Sequence, residues 1–296
     1  MKIKSIILLS VVMSFAVSCG NKTEKSPVDT MMNDTEEMQD SVQCFSYDHM
    51  NVIPLVDVRN EMSADLFKGS YDDNLLAELM PNGSLPSVVC SYLVHFDGVM
   101  TPYESQYMLF DAGLPESKGG KLLQNLKKSG VEPEEIKSIF LTHLHTDHIG
   151  GLLHNGQAAF PNATIYLSVD EFNAWSDSGP MASQNEYWKQ VLSCYANNIM
   201  LFVDNSELCD GHVKASLAKG HTPGHSVYYM GFCLFVGDLI HAQDLQVEHP
   251  EFCAKYDYDY VLAVATRKYW LSYIKESLNI ESAFGAHCYK PIKFSE

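Results

Sequence analysis

Thr142-His143-Leu144-His145-Thr146-Asp147-His148-Ile149-Gly150-Gly151 decides how this 296-residue chain is read. Between His143 and His148 it crowds three imidazoles and a carboxylate into six residues. Groups of that kind repel or dehydrate one another without a cation among them, so the run reads as a metal-binding loop rather than a polar loop rich in histidine. Ser138-Ile139-Phe140-Leu141-Thr142 reads as a short buried strand after the turn-like Glu132-Pro133-Glu134-Glu135. The loop therefore begins at a strand exit, where sites tend to sit. Residues two apart in an extended segment face the same way, so His143 and His145 grip one ion. Asp147 and His148, past the bend, face a neighbouring position, and one loop serves two metals.

Further donors follow with similar flanks. Gly220-His221-Thr222-Pro223-Gly224-His225-Ser226 sets a histidine before a Pro-Gly turn and the strand-like Val227-Tyr228-Tyr229-Met230. Phe232-Cys233-Leu234-Phe235-Val236 forms a second apolar strand with Gly237-Asp238 at its exit, and Ile280 to Ala286 leads into His287. Taken singly, His221, Asp238 and His287 read as structural residues rather than ligands. In series with the loop they read as ligands.

This order of motifs resembles the metallo-β-lactamase fold superfamily, whose H-x-H-x-D-H run, later His, Asp after Gly and final His are met at every position. The resemblance covers Ser87 to Pro291. It implies one metal held by His143, His145 and His221, a second held by Asp147, His148 and His287, and Asp238 bridging them. The implied fold is α/β, a four-layer αββα sandwich of two similar halves with the metals at one edge of the sheets. Composition and periodicity alone give only α/β.

Several details narrow the choice. Class B β-lactamases generally lack the bridging aspartate, and flavodiiron proteins carry glutamate where this chain has His145. Hydroxyacylglutathione hydrolases share the first motif and the His-Thr-Pro-Gly-His turn, but as mainly cytosolic enzymes they fit the N-terminus poorly. Nucleic-acid-processing members need a cationic surface, whereas this chain has 20 Lys+Arg against 37 Asp+Glu and a formal charge of −17. The sequence is most similar to the methyl parathion hydrolase and N-acyl-homoserine lactonase-like branch. That likeness rests on Leu109-Phe110-Asp111-Ala112-Gly113, Lys121 to Lys128, Phe160-Pro161-Asn162-Ala163, Asp170 to Trp175 and Gly237-Asp238-Leu239-Ile240. After His287, Cys288-Tyr289-Lys290-Pro291 departs from the Pro/Gly-rich tail common in that branch.

The expected chemistry is hydrolysis. Two divalent ions, Zn first with Mn, Fe or Co open, lower the pKa of water to about 7 and present a bridging hydroxide to a carbonyl or phosphoryl centre. Asp147 is the expected catalytic carboxylate, orienting the nucleophile or shuttling a proton. The expected substrate is a small lactone, carboxylic ester or phosphotriester-like molecule. A thioesterase, a β-lactamase relative, and a lipoprotein that binds a ligand without turnover stay open as alternatives. Asp111 reads either as a brace for the His loop or as a turn residue. His225 and His241 match no ligand position and read as structural. Trp175, Tyr187 and Trp188 either line an apolar pocket or belong to the core.

Lys2 and Lys4 precede an apolar run, Ile6 to Val17, too short to span a bilayer of about 30 Å, and Ala16-Val17-Ser18-Cys19 closes it. Residues 1–18 thus resemble a lipoprotein-type signal. Cleavage before Cys19 would leave a lipidated cysteine in the bacterial cell envelope, periplasmic or on the outer surface. Residues 19–44 are polar and aperiodic, a flexible tether, and 45–296 form one hydrolase domain. Seven cysteines besides Cys19 make an odd count without a C-x-x-C pair, so no disulfide framework is implied. Cys233 reads as inert core, and Cys288 adjoins His287 without a ligand role. Lys121 to Lys128 reads as an outer helix ended by Gly130. Val261, Val264, Leu271, Ile274 and Leu278 mark a long amphipathic helix whose apolar face covers a sheet.

Overall fold

A computed structural model describes residues 43–68, 73–98 and 106–294. The signal-like run, Cys19 and the tether up to residue 42 lie outside the described residues. One sheet has seven strands in the order Phe45–Tyr47, Met50–Ser63, Ser84–Phe96, Tyr107–Phe110, Ile136–Phe140, Thr164–Ser168, Ile199–Phe202. A five-stranded sheet runs Ser206–Leu208, Val213–Leu217, Ser226–Met230, Cys233–Gly237, Ser282–Gly285.

Alternation along the strands builds the layers, because successive side chains leave opposite faces of a sheet. Met108 and Phe110 enter the apolar cluster between the sheets, while Leu109 enters the cluster under the helices Leu122–Lys128 and Glu186–Tyr195. On the second sheet, Tyr228 and Phe235 face the inter-sheet cluster. Val227, Leu234 and Val236 face Trp270, Leu271 and Ile274 of the helix Tyr260–Glu276. The result is the expected helix–sheet–sheet–helix order. Phe110 of one sheet stacks on Phe235 of the other with ring centroids 3.7 Å apart, a contact type worth about 0.5–1.5 kcal/mol beyond area burial.

Of the expected apolar face, the helix Tyr260–Glu276 buries Leu271 and Ile274 against the sheet but leaves Val261 and Leu278 outside. Ala263, Arg267, Trp270, Leu271 and Ile274 point inward, while Val261 is 83% exposed and Leu278 fully exposed. Leu278 lies past the Ser277 cap, and Arg267 takes a core position that an apolar periodicity cannot register. Trp175 and Trp188 belong to the core, and half-buried Tyr187 donates its hydroxyl to the Gly150 carbonyl. None of the seven described cysteines is joined to another in a disulfide. Among the described residues no helix is long and apolar enough to cross a membrane.

Two strands reach beyond the sheet. Met50–Ser63 and Ser84–Phe96 pair from Met50↔Phe96 to Ser63↔Ser84, whereas the next strand pairs only with Tyr92 to Val94. The overhang packs Met62 with Phe67, Leu76, Met80, Leu245 and Phe252 in a small core of its own. Within the ladder the register slips between Val56 and Val58, and the extra residue is Asp57. Its buried carboxylate accepts from the Leu114 and Lys121 amides at 2.7 Å each and so braces the loop against which the His run packs. Gly113 in that loop has φ +63°, and a Cβ there would stand 2.1 Å from Asp57 Oδ2.

Candidate metal centre

Most donors stand near a strand end, while Asp147 and His148 sit in the short helix Thr146–Ile149. His143 follows Ile136–Phe140, Asp238 follows Cys233–Gly237, His287 follows Ser282–Gly285, and His221 lies in the turn before Ser226–Met230. Backbone bonds hold these exits together: Ser226 N donates to Thr142 O (2.9 Å), Ala286 N to Gly237 O (3.1 Å) and Ala112 N to His148 O (2.7 Å). Gly237 has φ +49°, and a Cβ there would stand 2.6 Å from Thr142 Oγ1 and 2.8 Å from His225 Nε2. Only glycine lets Asp238 leave the strand this close to the His loop.

All seven expected ligands converge. His143 Nε2, His145 Nδ1 and His221 Nε2 lie 2.9, 3.0 and 3.2 Å apart. Tetrahedral coordination at about 2.0–2.1 Å sets ligand nitrogens about 3.3 Å apart, close to what is seen. Asp238 Oδ2 is 3.2 Å from His221 Nε2 and 3.2 Å from His287 Nε2, while Asp238 Oδ1 is 3.0 Å from His148 Nε2. Asp147 Oδ2 stands 3.6 Å from His287 Nε2 and 3.9 Å from His148 Nε2. The donors fall into the expected groups, His143, His145, His221 with Asp238, and Asp147, His148 with His287.

The opposite ring edges are fixed from outside. Thr142 Oγ1 gives its proton to Asp111 Oδ2 at 2.8 Å, so it accepts from His143 Nδ1 at 3.0 Å. Asp111 Oδ2 also accepts from His148 Nδ1 at 2.8 Å, Val88 O from His287 Nδ1 at 2.7 Å, and Asp257 Oδ1 from His221 Nδ1 at 2.9 Å. Asp111 is therefore a brace, held at φ 58°. With those Nδ1 protons committed, the Nε2 lone pairs of four histidines face inward.

These residues fit metal ions. His148 Nε2 and Asp238 Oδ1 are buried without a hydrogen-bond partner although 3.0 Å apart, an arrangement that is costly unless a cation lies between them. Three converging ring nitrogens cannot be satisfied by protons, since one proton serves one pair. Without a cation the charges split unevenly. Burial holds His143 well below the ordinary histidine range, helped by His148, and takes His145 down to about 3. Burial also works against His148 and His221, yet neighbouring carboxylates raise His148 well above that range and His221 to about 9.

Two neighbours read as structural behave differently. His225 is structural in an active sense: it donates Nδ1–H to Ala218 O and accepts the Asp238 amide on Nε2 at 3.1 Å, fixing the turn. His241 is buried, with both ring nitrogens lacking a hydrogen bond and Nε2 3.3 Å from Asp238 Oδ2, so it belongs to the donor cluster. Its place three residues after Asp238 is the signal that the sequence offers. Cys288 packs in the core under Gly285, outside the donor groups. The centre opens into a cleft of about 640 Å³ whose walls include Met62, Leu66, Val89, Lys255 and Tyr256.

A sequence model of the Metallo-beta-lactamase superfamily matches residues 91–282, which contain six of the seven donors. The chain belongs to this superfamily. Within it, the chain is 29% identical over 137 residues to a hydroxyacylglutathione hydrolase of Edwardsiella ictaluri, covering 46% of this chain and 43% of the relative. It is 31% identical over 110 residues to an N-acyl homoserine lactonase of Bacillus thuringiensis, covering 37% of this chain and 39% of the relative. The matches thus span less than half the length of either relative. Among solved superfamily structures, the hydrolase AbOPH superimposes with a TM-score of 0.72 at 27% identity, covering 83% of this chain and 89% of that one. The dizinc quorum-quenching lactonase AidC, solved with a product, has the same fold at a TM-score of 0.72 and 22% identity, covering 86% and 98%.

Proposed function

We propose that the protein is a two-metal hydrolase of lactones or carboxylic esters, with His143, His145 and His221 on one ion, Asp147, His148 and His287 on the other, and Asp238 shared. The convergence of these seven donors, five of them lining a partly apolar cleft, carries the reading. When bound, such ions supply Lewis acidity toward a carbonyl oxygen and lower the pKa of water to about 7. Asp147 is more open to the cleft than Asp238, with side chains 30% and 4% exposed, so its Oδ2 is placed to take a proton from the nucleophile and pass it to the leaving alkoxide. His241 offers a ring nitrogen to a substrate oxygen. Met62, Leu66 and Val89 seat an uncharged acyl part.

The relatives named above make a glutathione thioester the second candidate. A tripeptide with two carboxylates calls for several cations, yet Lys255 is the single lysine or arginine among the described residues lining the cleft. A panel of lactones, esters, phosphotriesters, thioesters and β-lactams, compared by kcat/KM on the metal-loaded protein, tests this. Lactones or esters are expected to lead by at least about tenfold. His241→Phe is expected to lower kcat with metal content unchanged. A lead for the glutathione thioester sinks the lactone reading, and metal uptake without turnover of any substrate sinks catalysis.

We further infer an envelope location with lipid on Cys19, supported by Lys2, Lys4 and the apolar run before the cysteine. Cys19→Ala is expected to move the protein from the membrane to the soluble fraction, and an unchanged distribution refutes the anchor.

A further inference from the structure

We infer that Asp257 and Arg267 are positioning residues, which through His221 set how tightly the centre holds one of its two ions. The inference rests on the two-ion reading above. Asp257 Oδ1 accepts the Nδ1 proton of His221 at 2.9 Å, and Asp257 Oδ2 accepts from Arg267 Nη2 at 3.1 Å. Both charged groups are sealed from water, their side chains 0% and 1% exposed. The guanidinium is itself immobilised. Its Nε donates to Leu239 O at 2.6 Å, and Nη1 donates to Pro250 O and Phe252 O at 2.9 Å each. Leu239 directly follows Asp238, so one arginine ties the helix Tyr260–Glu276 to the turn carrying the shared carboxylate. Tyr258 N donates to His221 O and Asp259 N to Gly220 O, which wraps the segment before that helix around the histidine.

Stability alone is a weak reason for such a pair, because the desolvation of two charges offsets most of their attraction. Geometry gives it a purpose. A carboxylate that cannot turn holds the His221 ring in one tautomer, with Nε2 toward His143 Nε2 and His145 Nδ1, and makes that nitrogen a stronger donor. Asp111 does the same for His148, so each donor group has one histidine anchored on a buried carboxylate. His287 rests on a backbone carbonyl and His143 on a hydroxyl.

The test compares wild type, Asp257→Asn, and the double variant Asp257→Ala with Arg267→Met, which removes both buried charges together. Each is stripped of metal, its thermal midpoint is recorded, and Zn²⁺ is titrated against a chromogenic chelator. The visible spectrum of the Co²⁺ form reports the ligand field. Wild type is expected to take up two equivalents. Both variants are expected to fold, to bind one equivalent about 10- to 100-fold more weakly and the other as before, and to show an altered Co²⁺ spectrum. A merely structural role lowers the metal-free midpoint and weakens both equivalents alike. That outcome, wild-type affinity at both positions, or failure of both variants to fold overturns the inference. Wild type binding fewer than two equivalents overturns the two-ion reading instead.

Discussion

His148→Ala is expected to bind one equivalent of metal instead of two and to lose more than about a hundredfold in kcat/KM. Losing a group that merely orients a ligand costs about 10- to 100-fold, and His148 is proposed as a ligand itself, its inward nitrogen buried without a hydrogen-bond partner. The fold is expected to survive. Asp111 keeps the Thr142 amide and hydroxyl as donors at 2.8 Å each, so the loop stays tied to its strand. Elemental analysis together with steady-state kinetics checks both halves of the expectation. Two equivalents of metal and an unchanged rate would remove His148 from the ligand set.

Glu171→Ala is expected to destabilise the metal-free protein by at least about 3 kcal/mol, because four buried neutral donors lose their acceptor at about 1–3 kcal/mol each. Glu171 is fully buried. Its Oε1 accepts from the Leu144 amide at 3.1 Å and Trp175 Nε1 at 2.6 Å, and its Oε2 from Thr222 Oγ1 at 2.7 Å and the Gly224 amide at 2.9 Å. Leu144 lies between two ligand histidines and Thr222 beside a third, so one carboxylate staples the loops from two different sheets. Glu171→Gln is expected to recover only part of the loss, because its amide nitrogen faces two donors. Chemical denaturation of the metal-free forms is the measurement, and a loss below about 1 kcal/mol for the alanine variant contradicts the staple.

The clustering of donors was legible because its chemistry is local: His143 to His148 carry their meaning in their spacing, and the later donors stand near the ends of apolar strands. The layers came from the resemblance, since composition and periodicity alone gave only α/β. Glu171, Asp257 and Arg267 were not legible. Each acts on a partner at least ten residues away, and a lone acidic or basic residue looks the same in sequence whether solvated or sealed in a network. Asp57 was hidden for a related reason, since a one-residue register slip leaves no mark on an alternating pattern. His241 was misjudged because the motif assigns it nothing, although the chain returns it to the cluster one turn after Asp238.

The overhanging pair of strands separates two inheritances. Its tip supplies Met62 to the apolar wall of the cleft and rests on a small core completed by Ala242 and Leu245, just past His241. Selection can retailor Met62 and Leu66 to admit longer, shorter or bulkier acyl groups, whereas Val89 adjoins Val88, whose carbonyl holds His287.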